Sequence, residues 1–278
     1  MNDIRKAIEQ ALREDLPVQD ITTNVLIPGD KTSRAYIITK QEAVLCGLQI
    51  AKKVFQRLDK NISFRSSYSD GERVPAKTRI VFLRGKTRAI LSGERVALNF
   101  LSHLSGIATK THNFVKKIRP LRVKILDTRK TIPGLRNLAK YAVQCGEGKN
   151  HRMHLGSMAL IKDNHRAACH RISLDEIIQK TKKATHKHVE VEVNTLPQLK
   201  TALKGNPDMI LLDNMSLRQI KEAVRITRSL RPSPLLEVSG NVSLKNVRRI
   251  AKTGVDRISI GALTHTVQAI DLSLELIP

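Results

Sequence analysis

Aromatic and acidic residues are both scarce in this sequence. Tryptophan is absent from the 278 residues, and phenylalanine, tryptophan and tyrosine together make up 3%. Proteins that bind single-stranded nucleic acid stack bases on aromatic side chains, so this shortage argues against a dedicated platform of that kind. Asp and Glu number 25 against 49 Lys and Arg, which gives a formal net charge of +24. Such an excess attracts polyanions of every kind, so a basic nucleic-acid-binding protein stays open as an alternative of another class.

Cysteine is scarce as well, and its pattern disfavours two kinds of site. Cys46, Cys145 and Cys169 stand far apart and include no CxxC pair. An odd number of cysteines at scattered spacings predicts reduced thiols in a cytosolic protein, and neither a disulfide framework nor a zinc site.

The sequence also lacks a secretory signal and a long apolar run. The first twelve residues are charged, without the apolar stretch and small-residue cleavage site of a signal peptide. The longest apolar stretches have the length of strands, so no membrane span is predicted. We therefore expect a cytoplasmic protein, whose 41% of hydrophobic residues can build a full core.

Residues 1–110 combine two periodicities. Apolar residues recur with helical spacing over 3–13 and again over 94–107, whereas 33–39 and 78–83 alternate as strands do. This part of the sequence predicts an open α+β domain that ends in a long helix.

From about residue 121 onward, short β-branched runs alternate with helical stretches. Repeated strand-then-helix units imply parallel pairing, because parallel neighbours need a crossover connection. Five or six such units favour a barrel of the TIM type, complete or incomplete. An open nucleotide-binding sheet is the weaker alternative, because no GxGxxG follows the first strand. The runs cover residues 123–126, 159–161, 189–193, 209–212, 235–238 and 257–260.

Polar or small residues stand at the end of each run. In a βα barrel the carboxyl ends of the strands meet at one edge, which carries the chemistry. A single charged residue at a strand end can be explained by solvent exposure, because the edges of a sheet are in contact with water. Six in register favour a functional site. They are DTRK at 127–130, KDNH at 162–165, Glu190 and Glu192 within the third run, Asp213 with Asn214, SGN at 239–241, and Gly261 with Ala262.

Two groups of opposite charge occur among these ends. The cations would converge on a dense anion, because arginine binds carboxylate or phosphate through two hydrogen bonds and lysine acts as a point charge. Glu192 and Asp213 would suit Mg²⁺ bound with substrate phosphates, or a developing oxocarbenium charge. Taken alone, a strand glutamate is more often a member of a structural ion pair. The cations are Arg129, Lys130, His151, Arg152 and Lys162.

Glycines follow the last two runs, at Gly240 and Gly261. Barrels tend to build a phosphate-binding loop from backbone N–H groups at this place. Several histidines between residues 151 and 170 raise the alternative of a zinc site, but their spacing is not the HExxH of metalloproteases.

Longer motifs, in their order along nearly the whole chain, resemble those of the quinolinate phosphoribosyltransferases. This family is also called nicotinate-nucleotide pyrophosphorylase (carboxylating). The core of the resemblance is DTRKTIPGLR at 127–136, KYAV at 140–143, NHR at 150–152 and LIKDNH at 160–165. Further motifs are EDL at 14–16, DITT at 20–23, GER at 93–95, ALNFL at 97–101, LSGIAT at 104–109, EVEV at 190–193, LDN at 212–214, EVSG at 237–240 and SIGALTH at 259–265.

The resemblance implies a fold and a reaction. The fold would be α/β, with an N-terminal α/β sandwich domain over residues 1–110. An incomplete, seven-stranded TIM-like α/β barrel would follow over 111–278, and its last residues could pack back on the N-terminal domain. The reaction would transfer the phosphoribosyl group of phosphoribosyl pyrophosphate to quinolinate with decarboxylation. It would give nicotinate mononucleotide, pyrophosphate and CO₂, with Mg²⁺ as cofactor.

The resemblance also implies roles for residues. Lys130, Glu192 and Asp213 would be catalytic, and Glu192 and Asp213 would hold Mg²⁺ through the substrate. The chain would form a head-to-tail homodimer in which Arg95 enters the neighbouring subunit's site. No membrane and no specific nucleic acid are expected as partners. The substrate-binding set would be Arg95, Arg129, Lys130, His151, Arg152, Lys162, Glu192, Asp213, Ser239, Gly240, Gly261 and His265.

Two departures from the family pattern flank the key cations. Glu147 stands within a run that is usually all glycine, and Ser157 stands where many members have aspartate. Both positions bear on affinity more than on reaction type. The nearest alternatives within the fold are a transferase that acts on nicotinate and a molybdenum-associated paralogue.

Overall fold

The computed structural model describes residues 2–277, with side chains from Ile4 onward. This part of the chain forms two compact units that interleave along the sequence. The first comprises the chain up to His112, Thr131–Glu147 and the chain from Ala262 onward. The second comprises Asn113–Lys130 and Gly148–Gly261. The predicted domains, 1–110 and 111–278, are consecutive segments, and their boundaries stay a prediction.

The first unit is built on an antiparallel sheet. Its strands are β1 (Thr32–Thr39), β2 (Ala43–Val44), β3 (Ser63–Arg65), β4 (Arg73–Val74), β5 (Thr78–Lys86) and β12 (Leu272–Ile277), numbered in chain order. Four of them form a sheet of order β12-β1-β5-β3, and β2 pairs with β4. Its helices are α1 (Asn2–Asp15), α2 (Ile21–Leu26), α3 (Leu48–Leu58), α4 (Thr87–Ile118), α5 (Arg136–Cys145) and α11 (Ala262–His265), and α4 runs on into the second unit.

Alternation along β1 explains how this sheet is stabilised. Ala35, Ile37 and Thr39 are buried, whereas the intervening side chains are more exposed. Successive strand residues point to opposite faces, so one face of the sheet covers the core. β12 is the edge strand on this side of the sheet and pairs with β1, with Ile37 opposite Leu274.

The second unit is a parallel sheet with helices between its strands. The strands are β6 (Lys124–Leu126), β7 (Ala159–Ile161), β8 (Val189–Val193), β9 (Met209–Asp213), β10 (Leu235–Ser239) and β11 (Arg257–Ser259). Their order is β6-β11-β10-β9-β8-β7, and every pair is parallel. The helices are α6 (Asp163–Ala168), α7 (Leu174–Ala184), α8 (Leu196–Lys204), α9 (Leu217–Arg228) and α10 (Val247–Ala251).

Local sequence explains where the connecting helices begin. Ser216 caps α9 by accepting a hydrogen bond from the Gln219 N–H, and the Gln219 side chain accepts one from the Ser216 N–H. This reciprocal arrangement satisfies backbone donors that the first helical turn leaves unpaired. Ser173 and Glu176 do the same for α7. These caps fix the residue at which each helix begins.

The sheet confirms the predicted α/β fold with a barrel-type parallel sheet. Each strand lies within a residue or two of its predicted run. Six strands carry ladders among the described residues, where seven were expected. Next to β6, the seventh position is reduced to one parallel bridge between Leu126 and Lys149. Within residues 2–277, no helix has both the length and the apolar character needed to cross a membrane.

Candidate active site

The carboxyl edge of the parallel sheet gathers side chains that are far apart in the sequence. Lys162 follows β7 directly, Glu192 is the fourth residue of β8, and Asp213 ends β9. Parallel pairing places these three positions at one end of neighbouring strands. The pairing of these strands is therefore what brings the three side chains to the same edge.

Lys162 and Glu192 form an ion pair at this edge, after β7 and on β8. Lys162 Nζ lies 2.5 Å from Glu192 Oε2, with the lysine side chain 44% exposed and the glutamate 7%. Asp213 Oδ2 accepts a hydrogen bond of 2.7 Å from the Asn214 amide. Burial raises the pKa of Asp213, and the negative charge of Glu192 raises it further, while Asn214, Lys162 and Lys130 act in the opposite direction. Two carboxylates thus lie close together, with lysines beside them.

Two arginines form the cationic side of the site. The Arg152 guanidinium donates to the Met158 carbonyl at 3.1 Å. Burial lowers the pKa of Arg152, and the positive charge of Arg129 lowers it further. Like charges that are partly desolvated favour an incoming anion, because the anion relieves their mutual repulsion.

A buried ion cluster lies within the same unit. His151 Nε2 is 3.1 Å from Glu190 Oε2 and 3.3 Å from Glu237 Oε1. The histidine side chain is 8% exposed, and the two glutamates are almost completely enclosed. Glu190 and Glu192 are two residues apart on β8, so both point to the same face of the sheet. The ring of His151 therefore meets protein carboxylates, whereas the resemblance assigned it to substrate.

The two buried carboxylates favour the charged form of the His151 ring. Burial disfavours the charged ring, but hydrogen bonds to Glu190 and Glu237 outweigh it and raise the pKa of His151 to about 9. Burial also raises the pKa of Glu190. The Arg152 N–H donates to His151 Nδ1 at 2.8 Å, which keeps a proton off that nitrogen. The ring proton is therefore on Nε2, which faces Glu190 and Glu237.

The backbone after β9 and β10 folds into a tight polar loop pair. Asn214, Gly240 and Asn241 all have positive φ, at 53°, 88° and 51°. A Cβ added to Gly240 would lie 2.2 Å from Asn214 Oδ1, so only glycine fits beside that amide. The Asn241 amide donates to the same oxygen at 3.1 Å. This geometry explains the glycine of the SGN segment.

The two remaining predicted residues belong to the first unit, which is described by itself. Arg95 lies on α4 with a side chain 63% exposed, and its nearest carboxylate among the described residues, Glu94, is 4.0 Å away. His265 is the last residue of α11, and its Nδ1 lies 2.6 Å from Thr266 Oγ1. The other predicted site residues belong to the second unit. They are Arg129, Lys130, His151, Arg152, Lys162, Glu192, Asp213, Ser239, Gly240 and Gly261.

The sequence did not show that Asp127, Glu190 and Glu237 hold His151 in place from buried positions. Asp127 is fully buried, and its Oδ1 accepts the His151 N–H at 2.9 Å. A signal existed for the glutamates, because each stands within an apolar run of a parallel strand that is buried on both faces. An acidic residue at such a place needs a partner.

The carboxylates at the edge fit a hard divalent cation. Mg²⁺ prefers oxygen ligands and is usually bound through one or two carboxylates together with substrate phosphates. Glu192 and Asp213 supply such oxygens. The raised pKa of Asp213, due to burial and to Glu192, reflects a local excess of negative charge that a cation would relieve.

Comparison with known proteins gives the same family over both parts of the chain. A family model described as quinolinate phosphoribosyl transferase, N-terminal domain, matches residues 20–105. A second, for the C-terminal domain of the same family, matches residues 107–275.

Individual relatives match along almost the whole length. A protein from Mycobacterium leprae named nicotinate-nucleotide pyrophosphorylase [carboxylating] is 40% identical over 275 residues, covering 98% of this chain and 96% of its own. Quinolinate phosphoribosyltransferase [decarboxylating] 1b from Nicotiana tabacum is 36% identical and covers 99% of this chain and 82% of its own. The solved structure of the nicotinate-nucleotide pyrophosphorylase from Francisella tularensis aligns with a TM-score of 0.94 at 44% identity, covering 99% and 96%.

The buried cluster predicts a large stability effect for His151→Ala. Removing the imidazole leaves Glu190 and Glu237 buried without their shared partner, which costs about 3 kcal/mol of unfolding free energy. Urea denaturation at neutral pH measures the loss. His154→Ala serves as the control, because this nearby histidine is exposed and its replacement should cost less than about 0.5 kcal/mol. Equal losses in the two variants would contradict a structural role of the cluster.

Proposed function

Because the chain belongs to the quinolinate phosphoribosyltransferase family, we propose that it transfers a phosphoribosyl group from phosphoribosyl pyrophosphate to quinolinate. The products are nicotinate mononucleotide, pyrophosphate and CO₂, and the reaction serves NAD biosynthesis. The observation that carries the proposal is the meeting of Lys162, Glu192 and Asp213 at one sheet edge. The chain in which they meet matches the family over nearly its full length.

Binding of quinolinate is the first step that the charges support. Arg129 and Arg152 repel one another in the free protein, as the lowered pKa of Arg152 indicates. Two adjacent carboxylates on a pyridine ring match such a pair, since each guanidinium can donate two parallel hydrogen bonds. The arginines thereby fix the plane of the ring and direct its nitrogen towards the anomeric carbon of the ribose.

Bond transfer follows from the carboxylate pair. As the bond from the anomeric carbon to pyrophosphate breaks, positive charge develops on the sugar ring. Glu192 and Asp213 stabilise that charge directly or through the ribose hydroxyls, because their own charges are already in place. Removing one preorganised group of this kind costs roughly 3–4 kcal/mol in the transition state.

Mg²⁺ is the cofactor that the carboxylates fit. Bound with the substrate phosphates, it would neutralise part of the negative charge of the leaving pyrophosphate. Glu192 and Asp213 would hold it, and Lys130 and Lys162 would contribute further positive charge beside them. No organic cofactor is needed. When the neighbouring carboxylate leaves as CO₂, the electron pair of the broken C–C bond stays on the ring carbon, where the positive charge of the quaternised nitrogen stabilises it, and that carbon then takes a proton from solvent.

The 5′-phosphate is assigned to the loops after β10 and β11. Ser239 and Gly240 lie in the tight segment described above, where Gly240 has a positive φ and packs against Asn214. Gly261 follows β11, and His265 lies four residues farther along the chain. Backbone N–H groups at such turns bind phosphate oxygens well.

A homodimer is proposed as the working form. Arg95 projects from α4 with a largely exposed side chain and, within the described part of the chain, only the 4.0 Å contact to Glu94, as a residue that enters a neighbouring site would. The segment around α2 exposes four large apolar side chains, Val18, Ile21, Val25 and Leu26, each at least 69% exposed. A contiguous apolar patch of this kind is typical of a surface that another chain covers.

The carboxylate roles predict a specific kinetic pattern. Glu192→Gln and Asp213→Asn should each lower kcat by about a hundredfold or more, because their charge acts mainly as the sugar becomes cationic. The dissociation constant for quinolinate should stay within about threefold. Steady-state kinetics and calorimetric titration give the two quantities. Asp30→Asn, which removes the same charge from an exposed turn, should change neither. Loss of quinolinate binding with kcat preserved would contradict the assignment.

Substrate choice tests the proposed reaction itself. The expected reaction is formation of nicotinate mononucleotide from quinolinate, phosphoribosyl pyrophosphate and Mg²⁺. Nicotinate has one carboxylate and would leave a desolvated cation unpaired, at a cost of about 1–3 kcal/mol, so its kcat/KM should be much lower. Phthalate keeps both carboxylates but has no ring nitrogen, and should inhibit competitively. Equal kcat/KM for nicotinate and quinolinate would instead support the nicotinate-specific alternative.

The shared site predicts complementation between two inactive variants. Arg95→Ala and Lys130→Ala chains should each be nearly inactive alone. After subunit exchange, hybrid dimers would carry one site with both residues intact, so the mixture should regain part of the activity. Native mass spectrometry of differently tagged chains verifies the exchange. Exchange without recovery would mean that Arg95 acts in its own subunit or is structural.

A further inference from the structure

Two of the three cysteines, remote in sequence, lie together in the first unit. Cys46 follows β2, and Cys145 is the last residue of α5. Their Sγ atoms lie within 4.8 Å of one another and of a carboxylate oxygen of Asp70. This thiol pair has no part in the proposed reaction, and the scattered sequence positions gave no sign of it.

Packing of the backbone holds both cysteines in place. The Cys46 N–H donates to Ser105 Oγ at 3.0 Å, and this hydroxyl donates to the Cys46 carbonyl at 3.3 Å. Gly146 fixes the end of α5, because a Cβ there would lie 2.3 Å from the Ala108 carbonyl oxygen of α4. The two thiols therefore face each other as a lasting feature of the fold.

The surroundings give the two thiols different access to solvent. Cys46 is fully buried, whereas Cys145 is partly exposed. Tyr141, one turn before Cys145 on α5, is 43% exposed and donates to Asp70 Oδ2 at 2.9 Å. The other oxygen of Asp70 accepts the N–H groups of Gly47 and Leu48, both at 3.0 Å. The aspartate is thus engaged by its own donors, and a small oxidant can reach Cys145 first.

The same asymmetry appears in the ionisation of the two thiols. A hydrogen bond from Cys46 lowers the pKa of Cys145, against the opposing effect of burial. That hydrogen bond, together with burial, raises the pKa of Cys46. Cys145 is therefore the more nucleophilic partner, and Cys46 is the one that keeps its proton.

We propose that Cys46 and Cys145 form a modification site that closes to an intramolecular disulfide on reaction with hydrogen peroxide. The Cys145 thiolate attacks one peroxide oxygen, which gives a sulfenic acid and releases hydroxide. Cys46 sulfur then attacks the sulfenic sulfur, the S–O bond breaks, and the proton of Cys46 leaves with the oxygen as water. In sum, two thiols lose two electrons and two protons, and peroxide is reduced to two molecules of water.

Local movement is sufficient for this closure. A disulfide has an S–S distance of about 2.05 Å, so the two sulfurs must approach by no more than about 2.8 Å. Rotation of each cysteine about χ1 moves its sulfur by an amount of that order. Formation of this disulfide would show that the two cysteines are close in the folded protein, because cysteines on distant parts of a fold cannot be joined without unfolding.

Peptide mapping of the intact protein tests the proposal. Reduced protein, freed of metals with a chelator, is treated briefly with a small excess of hydrogen peroxide, alkylated, digested without reductant and analysed by mass spectrometry. The expected product is a linked peptide pair containing Cys46 and Cys145, which reductant separates again, while Cys169 is recovered alkylated. Cys169→Ser, the matched control, should give the same linkage at the same rate.

Two variants separate the roles of the thiols. In Cys46→Ala, Cys145 should be trapped as a sulfenic acid by a dimedone-type reagent. In Cys145→Ser, oxidation of Cys46 should be about tenfold slower or more, because the buried thiol keeps its proton. The wild-type and Cys169→Ser maps remain decisive even if replacement of the packed Cys46 impairs folding.

Three results would overturn the proposal. The first is absence of the linked pair under conditions that oxidise Cys169. The second is linkage of Cys169 to either partner as the main product. The third is a zinc ion, retained in one copy per chain before chelation and protecting both thiols from alkylation, which would make the cluster a metal centre.

Discussion

Parallel pairing of the six strands of the second unit is the constraint on which the site depends. It brings all six carboxyl ends to one edge, so that Lys162, Glu192 and Asp213 become neighbours although long helical connections separate them. The pairing also forces two-residue periodicity on β8. Glu190 and Glu192 consequently share a face, and one is committed to a buried cluster while the other reaches the edge.

Opposite charges at this edge keep each other in place until anionic substrates arrive. Lys162 is paired with Glu192 in the free protein, and its charge also acts on Asp213. Polyanionic phosphoribosyl pyrophosphate would compete for the lysine, and a divalent cation would replace it beside the carboxylates. The edge therefore offers both signs of charge, as a reaction with an anionic leaving group and a cationic sugar requires.

Much of the fold and the edge could be predicted because the information is local. The strands could be recognised in the sequence as short β-branched segments, and the polar residues that follow each segment marked the carboxyl ends of the strands. The seventh strand could not be found in this way. Its place holds only one bridge, between Lys149 and Leu126 of β6, and a single bridge leaves no run of β-branched residues. The contact of His151 with Glu237 and that of Cys46 with Cys145 were equally hidden. Each joins segments that only the tertiary fold brings together, and no periodicity marks such a contact.

The buried cluster and the cationic side of the edge are linked because His151, which belongs to the cluster, directly precedes Arg152 in the chain. His151 accepts the Arg152 N–H on Nδ1, donates its own backbone N–H to Asp127, and faces Glu190 and Glu237 with Nε2. His151 is thereby held by its backbone N–H and by its ring, and the Arg152 N–H is bound to that ring. Arg152 and Arg129 repel one another, and two flexible arginines would separate into solvent. Anchoring the backbone beneath one of them keeps the pair together. A dianion bound between them would relieve the repulsion that remains.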